Sequence, residues 1–352
     1  MHSEYDYILV GQGLAGTCLA HALHSRQQKV LVFDDPTQPS ASKVAGGLFN
    51  PITGRNMVLT WKAQELFPFL QRFYEEIEIL LNEKLLHNIP IYRPFNSIEE
   101  LNEWQGKSAD HRFNSFIKKV HRAPIYSEQV NNGMGGVEMK QTGYLNTKKL
   151  IKGYRKMLMD DSALIEDSFD HNMMNLQDNK IVYKGYSASK VVFCEGPAAL
   201  NNPWFDKVKL VALKGEVLQI KAKEQLFKIL SKGVFVLPQD ETNGSYIVGS
   251  TYERNNTSWE PTAKARKEIE EKLDQLVKFD YRITDQKAGI RPTMVDRRPV
   301  IGCHPEENRI AIFNGLGTKG VSLAPYFSDH FARHLVQNHQ LCNEIDVRRF
   351  FN

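Results

Sequence analysis

The sequence predicts an α/β protein, and three observations predict it. A strand–glycine turn–helix–strand unit opens the chain, a second strand–glycine turn–helix closes it, and segments of helical period and β-type runs lie between them. The composition is that of a folded chain: of 352 residues, 41% are apolar and 24% charged, with a net charge of only +4. That length allows one large domain or two interleaved ones. No apolar run approaches a membrane span, so no membrane partner is expected. Cys18, Cys194, Cys303 and Cys342 stand singly, which fits a reducing compartment and excludes a zinc ribbon. The start, Met1 to Asp6, is acidic and has no hydrophobic signal core, so a cytoplasmic location is expected.

In the opening unit, Asp6–Val10 is an apolar run with β-branched members that leads into Gly11-Gln-Gly13-Leu14-Ala15-Gly16. A helical pattern follows (Leu14, Cys18, Leu19, Ala22, Leu23), then a second run, Val30–Phe33, ending at Asp34-Asp35. Each part has a task in dinucleotide binding. Gly11 makes the tight turn, Gly13 lets backbone approach a pyrophosphate, and Gly16 seats the helix on the strand. The N–H groups opening the helix at Leu14 and Ala15 face the phosphates. Asp34, with Asp35 beside it, is placed to accept hydrogen bonds from a ribose hydroxyl pair; an acid there disfavours a 2′-phosphate, leaving NAD and FAD.

The closing unit spells a glycine turn again. Arg309–Phe313 reads as a strand, then come Asn314, Gly315, Leu316, Gly317, Thr318, Lys319 and Gly320, and Val321–Val336 reads as a helix. No second strand with a terminal acid follows, so this is not a complete nicotinamide unit. Its N–H groups suit the N1–C2=O edge of a flavin, which becomes anionic on reduction. Two such turns at opposite ends suggest one cofactor clasped by both, which favours FAD over NAD.

Between these units, Gln64–Leu81 and Lys264–Lys278 carry helical apolar patterns. Val208–Ile220, Gly233–Leu237 and Ser245–Thr251 read as strands, with Asp240–Gly244 as a turn and Asn131–Gly136 as a flexible loop. There is no internal repeat or low-complexity linker.

Further motifs fall in a telling order. Ser40-Ala-Ser42-Lys-Val-Ala-Gly46-Gly47-Leu-Phe-Asn-Pro51 is followed by Gly143-Tyr-Leu-Asn146, Lys190 to Gly196-Pro197, Leu213-Lys-Gly215-Glu-Val217 and Ile247-Val-Gly249-Ser-Thr251. Last comes Ala288-Gly-Ile-Arg291-Pro-Thr-Met-Val-Asp296-Arg-Arg-Pro299-Val-Ile-Gly302, directly before the second glycine turn. In order and spacing the chain resembles the D-amino-acid oxidase (DAO) superfamily of FAD-dependent oxidoreductases, nearly end to end. The Gly302-Cys-His-Pro-Glu306 segment and the Arg291 motif are similar to glycine oxidase. The Gly315–Gly320 turn with Ala324-Pro325, and Gly46–Pro51 with Phe73-Tyr74, are similar to the oxidase half of the bifunctional enzyme that matures the tRNA wobble uridine.

The resemblance implies a GR2-type, Rossmann-like FAD-binding domain from residues 1–80, 145–205 and 287–352. It implies an interleaved α+β substrate domain from 81–144 and 206–286, built on a mostly antiparallel sheet. Gly11, Gly13, Leu14, Ala15, Gly16, Asp34, Asp35, Ser42, Gly46, Gly47, Gly196, Gly315, Gly317, Thr318, Lys319, Gly320 and Val321 are the FAD candidates. The flavin is expected to be non-covalent, because Gly289 stands where covalent relatives carry cysteine; Cys303 is read as a packing residue.

The implied chemistry is oxidation of a C–N bond by hydride transfer to flavin N5, with the imine then hydrolysed, which needs positioning more than a side-chain base. Arg291 is the candidate carboxylate anchor, because a guanidinium meets a carboxylate as a two-pronged fork; the alternative ties it to Asp296. Tyr252 matches a pocket-lining position. Phe235 stands where glycine oxidase carries a carboxylate-binding tyrosine, which points to an amine other than glycine itself. Lys319 is a candidate to hold charge near the reduced flavin or to assist O2 reduction, and Arg55 to reach flavin or substrate.

The eleven histidines are each read as surface or core residues, so no metal is expected. Basic clusters at Lys118–Arg122, Lys148–Lys156 and Lys264–Lys267 read as solvated helix faces rather than a tRNA surface. The expected activity is thus that of an amine or amino-acid oxidoreductase using O2 or another acceptor. The alternatives are a tRNA wobble-uridine carboxymethylaminomethyl oxidase, a non-catalytic FAD-holding subunit and an NAD-dependent dehydrogenase. No oligomeric state is assigned.

Overall fold

The computed structural model describes residues 3–54, 56–240 and 244–351. Two sheets organise it. In the first, the parallel strands run in the order Leu164–Ile165, Val30–Phe33, Ser3–Val10, Tyr186–Phe193, and Ile310–Asn314 pairs parallel with the last of these. Ile8, Leu9, Val30 to Phe33, Val191 to Phe193 and Ile310 to Phe313 are all buried, as expected of strands covered on both faces. An antiparallel meander, Asn175–Gln177 and Lys180–Tyr183, extends one side of the sheet, and Val300–Cys303 pairs with Ile310–Asn314. Helices Leu14–His24 and Gly320–Gln337 pack on each other over this sheet, so the two ends of the sequence meet in space.

The second sheet is mostly antiparallel. Its order is Glu253–Arg254, Leu210–Ala222, Ser245–Gly249, Val234–Asp240, Ile229–Lys232, Ile91–Pro94, Gly136–Met139, Ile117–His121, with one parallel pair between Ile229–Lys232 and Ile91–Pro94. Tyr281–Met294 pairs with Leu210–Ala222 along its whole length, from Met294 opposite Leu210 to Tyr281 opposite Ala222. Alternation along these strands sorts their side chains onto two faces. Leu218, Ile220, Val236, Tyr246 and Val248 turn to helix Ala263–Leu276, meeting Ile269, Leu273 and Leu276. Val217, Phe235, Leu237 and Ile247 turn the other way, into the core shared with the first sheet.

The helices expected at Gln64–Leu81, Lys264–Lys278 and Val321–Val336 are Ala63–Leu81, Ala263–Leu276 and Gly320–Gln337. The expected Asp240–Gly244 turn falls partly outside the described residues. Asn131–Gly136 is not the loose loop that its composition suggests. Asn131 Nδ2 donates to the Asp274, Gln275 and Val277 carbonyls, and the buried Asn132 Nδ2 donates to Tyr92 Oη and the Ile125 carbonyl. Asn131 thus pins the loop to the end of helix Ala263–Leu276 and Asn132 pins it to Tyr92 and Ile125, contacts that no local pattern announces. Among the described residues no helix is long and apolar enough to cross a membrane.

Candidate functional site

Three parallel strands of the first sheet end at Gly11, Gly196 and Gly315, where open α/β sheets bind ligands. Gly11 takes φ +99°, and a Cβ there would stand 2.6 Å from the Cys194 carbonyl. A Cβ on Gly16 would run into the Gly11 carbonyl, so the helix seats on the strand only through glycine. Gly13 is different: a Cβ would meet only Ser42 Oγ at 3.5 Å and Ser40 Oγ at 4.0 Å, leaving a gap between the helix start and the serine segment. Helix Leu14–His24 has no side-chain cap and no acid in its first turn; Leu14 N–H donates to Ser42 Oγ at 3.1 Å, with Ala15 next to it half-buried. A helix start whose first N–H meets a serine hydroxyl, with space left beside Gly13, is suited to a pyrophosphate.

Asp34, at the end of the second strand, accepts from Gln12 N–H at 2.8 Å and from the Arg155 guanidinium at 2.7 Å. Arg155 also binds Gln12 Oε1 at 3.0 Å and Glu166 Oε1 at 2.7 Å, so a ribose hydroxyl pair would share Asp34 with a cation. Asp35 caps its own turn, accepting from Thr37 N–H and Oγ1 and from Ser168 Oγ; the Thr37 hydroxyl above all holds its carboxyl far below the usual range. Gly196, at φ +58°, borders open space: a Cβ there would meet nothing within 4 Å. Beside it, Glu195 binds His171 Nε2 at 2.9 Å and Asn202 Nδ2 at 2.8 Å, and the first of these hydrogen bonds raises the His171 pKa.

The second glycine turn closes on the first. Asn314 Nδ2 donates to the Gly196 carbonyl at 2.9 Å, and a Cβ on Gly320 would stand 3.2 Å from Leu14 Cδ2. Gly315 and Gly317 take φ +76° and +54°; a Cβ on Gly315 would be 2.6 Å from Met294 Cγ, and one on Gly317 3.3 Å from Thr293 Oγ1. Thr318 is exposed. Helix Gly320–Gln337 has no side-chain cap, and its start is fixed by Tyr74 Oη donating to the Val321 carbonyl at 2.9 Å. The cradle formed by the two turns has the glycine-lined room, the two helix starts and the acid that an FAD requires.

The inward face of the second sheet adjoins this cradle and is floored with glycine. Gly215 pairs with Gly289, and Gly249 lies opposite both Val217 and Phe235. Segment 41–47 lies over it: Val44 Cβ would be 3.3 Å from a Cβ on Gly289, and Phe235 Cζ 3.2 Å from one on Gly46. Gly47, at φ +71°, sits against the Leu145 carbonyl with no room for a Cβ. Arg291 rises from this floor. Its Nη2 donates to Ser250 Oγ at 2.9 Å and its Nη1 to the Thr251 carbonyl at 3.4 Å; the guanidinium lies against Gly215 and 5.2 Å from the Tyr252 ring centroid. Burial lowers its pKa. Among the described residues it meets no carboxylate: Asp296 is taken instead by Arg349 Nε at 3.1 Å and by the Arg298 N–H at 2.9 Å. Tyr252 is itself 66% exposed, at the rim.

Lys319 is half-buried, donating from Nζ to Thr60 Oγ1 at 3.1 Å, and burial first, then Arg297 and Arg298, bring its pKa down to about 8. Arg55 lies outside the described residues. His330 and His334 stand four apart on the last helix, a ligand-like spacing, but His334 Nδ1 is hydrogen-bonded to the His339 carbonyl and no group of three potential ligands forms among the described residues. Sequence reasoning missed Arg155, Glu195 with His171, Ser250, and the cations of the turn after Arg291. Only the last pair carried a visible signal, two consecutive arginines inside the Arg291 motif.

The family model for FAD dependent oxidoreductases (DAO) matches residues 6–334. The chain is 22% identical to the tRNA 5-methylaminomethyl-2-thiouridine biosynthesis bifunctional protein MnmC of Shewanella amazonensis, over 93% of this chain and 56% of that protein. It thus spans little more than half the length of that relative, as it does of the Marinobacter nauticus protein of the same name, at 58%. It is 21% identical to glycine oxidase of Bacillus licheniformis, over 96% of this chain and 95% of that one. The fold is shared with the crystal structure of glycine oxidase from Geobacillus kaustophilus, at TM-score 0.80 and 17% identity, covering 99% of this chain and 98% of that one.

Proposed function

Because the chain belongs to the family of FAD dependent oxidoreductases (DAO), we propose that it oxidises the C–N bond of an amino acid or N-substituted glycine-type amine. The observation that carries this reading is Arg291, a buried guanidinium whose partners are neutral oxygens on a glycine-floored face. A desolvated cation without a counter-ion is costly, and a ligand carboxylate relieves that cost through two parallel hydrogen bonds. When bound, the flavin supplies the acceptor for the two electrons and the hydrogen that leave the carbon.

The residues of the chain supply the positioning. Arg291 takes the carboxylate, Ser250 and the Thr251 carbonyl fix the guanidinium plane, and Gly215 lets it lie flat against the strand. Phe235, wedged between Gly46 and Gly249, offers an apolar wall without a hydroxyl, which suits a substituent on the amine nitrogen better than a second carboxylate contact. Lys319, at the helix start beside the second turn, places positive charge where a reduced flavin or O2 would gain from it. We assign the flavin to residues 1–80, 145–205 and 287–352, held without a covalent link, and the substrate to 81–144 and 206–286. Strand Tyr281–Met294 crosses that division and brings Arg291 to the cofactor side.

A second reading makes the nitrogen substituent the wobble nucleoside of a tRNA, and the likeness to the bifunctional proteins along 93% of this chain favours it. One experiment separates the two: an anaerobic visible spectrum of the flavin-loaded protein, before and after glycine, N-alkyl-glycines, D-amino acids or tRNA carrying the carboxymethylaminomethyl group. Bleaching by a small amine, weakened about 10- to 100-fold in Arg291→Ala, is the expected result. Bleaching by the tRNA alone would select the second reading. A flavin that dithionite reduces but none of these substrates bleaches would overturn both.

A further inference from the structure

The strand that carries Arg291 ends at Met294, and in the turn that follows it, residues 295–298, the charges do not balance. Asp296, the acid of that turn, is spent on Arg349 and on the Arg298 main chain. The Arg298 guanidinium lies instead over the Trp61 ring, 4.2 Å from its centroid, and Trp61 stacks on Phe327 with centroids 5.5 Å apart and planes 9° from parallel. Lys319 is bound to Thr60, the residue before Trp61, so the two cations approach one short segment from two directions. Arg297 is exposed, at φ +57°. Lys62, also near the Trp61 ring, has its own acid in Glu65 at 3.1 Å, whereas Arg297, Arg298 and Lys319 have no carboxylate partner among the described residues.

A guanidinium lying over an aromatic face keeps its N–H groups free in its own plane, the geometry in which it takes an oxyanion. The group lies within reach of Arg291. Thr293 is two residues along the same strand face, about 7 Å at the usual rise, and Thr293 is bridged to Leu316, the residue that opens the Gly317–Lys319 turn. We propose that Arg298 over Trp61 and Lys319 on Thr60, with Arg297 next in the same turn, form a second anion subsite, so that the preferred substrate carries a second carboxylate or phosphate besides the carboxylate held by Arg291. This rests on the proposed role of Arg291 and narrows the substrate class to dianionic amines: a long-chain dicarboxylate, or an amine joined to a phosphate as in a nucleotide.

The test is binding to the flavin-loaded enzyme, by calorimetry and by the shift of the flavin bands. Pimelate, a seven-carbon dicarboxylate, is compared with its monoamide, which differs only in the second charge. At least tenfold tighter binding of pimelate is expected, with the advantage lost in the double variant Arg297→Ala/Arg298→Ala. Equal constants in the unaltered enzyme overturn the proposal, and so does an advantage that survives in the double variant. 6-Phosphonohexanoate distinguishes the two sources: tighter binding than pimelate marks a phosphate subsite, weaker binding a carboxylate one. N-(3-carboxypropyl)glycine and its amide separate this inference from the oxidation it builds on. If both reduce the flavin equally well at equal low concentration, the subsite fails and the oxidation stands. If neither reduces it while pimelate keeps its advantage, the oxidation fails and the subsite stands.

Discussion

Substituting Gly215 by alanine is the sharpest probe of the carboxylate anchor, because it moves Arg291 without removing it. A Cβ at position 215 would fall on the Arg291 guanidinium, nearer than Cβ atoms ever come to another heavy atom, and its three nearest neighbours are all guanidinium atoms. The far end of a flexible side chain yields before a strand does, so the guanidinium retreats by roughly 1 Å, and a misplacement of that size costs on the order of 100-fold in a positioned reaction. The same figure follows from the other side: a hydrogen bond to a charged group is worth about 1.5–3 kcal/mol, or roughly 10- to 150-fold. The backbone tolerates the change. Gly215 has no left-handed φ, and alanine in a strand is favoured over glycine by about 0.5–1 kcal/mol. Gly215→Ala should therefore keep its flavin and its Tm while kcat/KM for the amine that bleaches the flavin falls about 100-fold, mostly through KM. Wild-type kcat/KM in a fully loaded variant would refute the placement of Arg291; loss of flavin would show that position 215 supports the cofactor instead.

Three further outcomes are expected. Gly16→Ala sets a Cβ against the Gly11 main-chain carbonyl, which cannot turn away, so flavin-free protein should lose about 1–3 kcal/mol in urea unfolding and also hold FAD less tightly. Arg155→Ala leaves Asp34 half-buried with only the Gln12 N–H as partner and should cost about 3 kcal/mol; adding Asp34→Asn should recover part of that loss, and a double variant no more stable than Arg155→Ala would argue against the pairing. Lys319 has a folded pKa of about 8 against an ordinary 10.5, so between those values the unfolded chain binds the extra proton and stability rises with pH. Urea midpoints from pH 7 to 10.5 should climb less in Lys319→Met than in the unaltered protein; parallel curves would remove Lys319 from its buried setting.

The parts of the site that were legible in the sequence are those made by neighbours in the chain. Gly11, Gly13 and Gly16 need only a strand, a turn and a helix in succession, and Asp34 needs only the next strand's end. Arg291 came from a motif whose order along the chain is distinctive. What stayed hidden is made by distant segments. Arg155 reaches Asp34 from a helix 121 residues further on, and Glu195 meets His171 across 24 residues, with no period to betray either. Gly215 reads as one glycine in a strand until its register against Tyr281–Met294 puts it under a guanidinium. The Trp61–Arg298 stack joins a loop to a turn, and composition shows it only as surface charge. Asn131 and Asn132 are loop-type residues by every local measure, and become fixed only because carbonyls at the end of helix Ala263–Leu276 stand within reach of the first, and Tyr92 Oη and the Ile125 carbonyl within reach of the second.

Strand Tyr281–Met294 is paired over its full length with Leu210–Ala222, and the turn that follows it is clamped by Arg349 through Asp296 and the Pro299 carbonyl. Arg291 and the arginines of the turn beyond it are therefore carried on one continuous rod of fixed main chain, and the gap between their Cα atoms is set by that main chain. Such a rod acts as a ruler. Exchanging side chains at either end would change how firmly a ligand is gripped, whereas the length of ligand that fits would change only if residues were inserted into or removed from the rod itself.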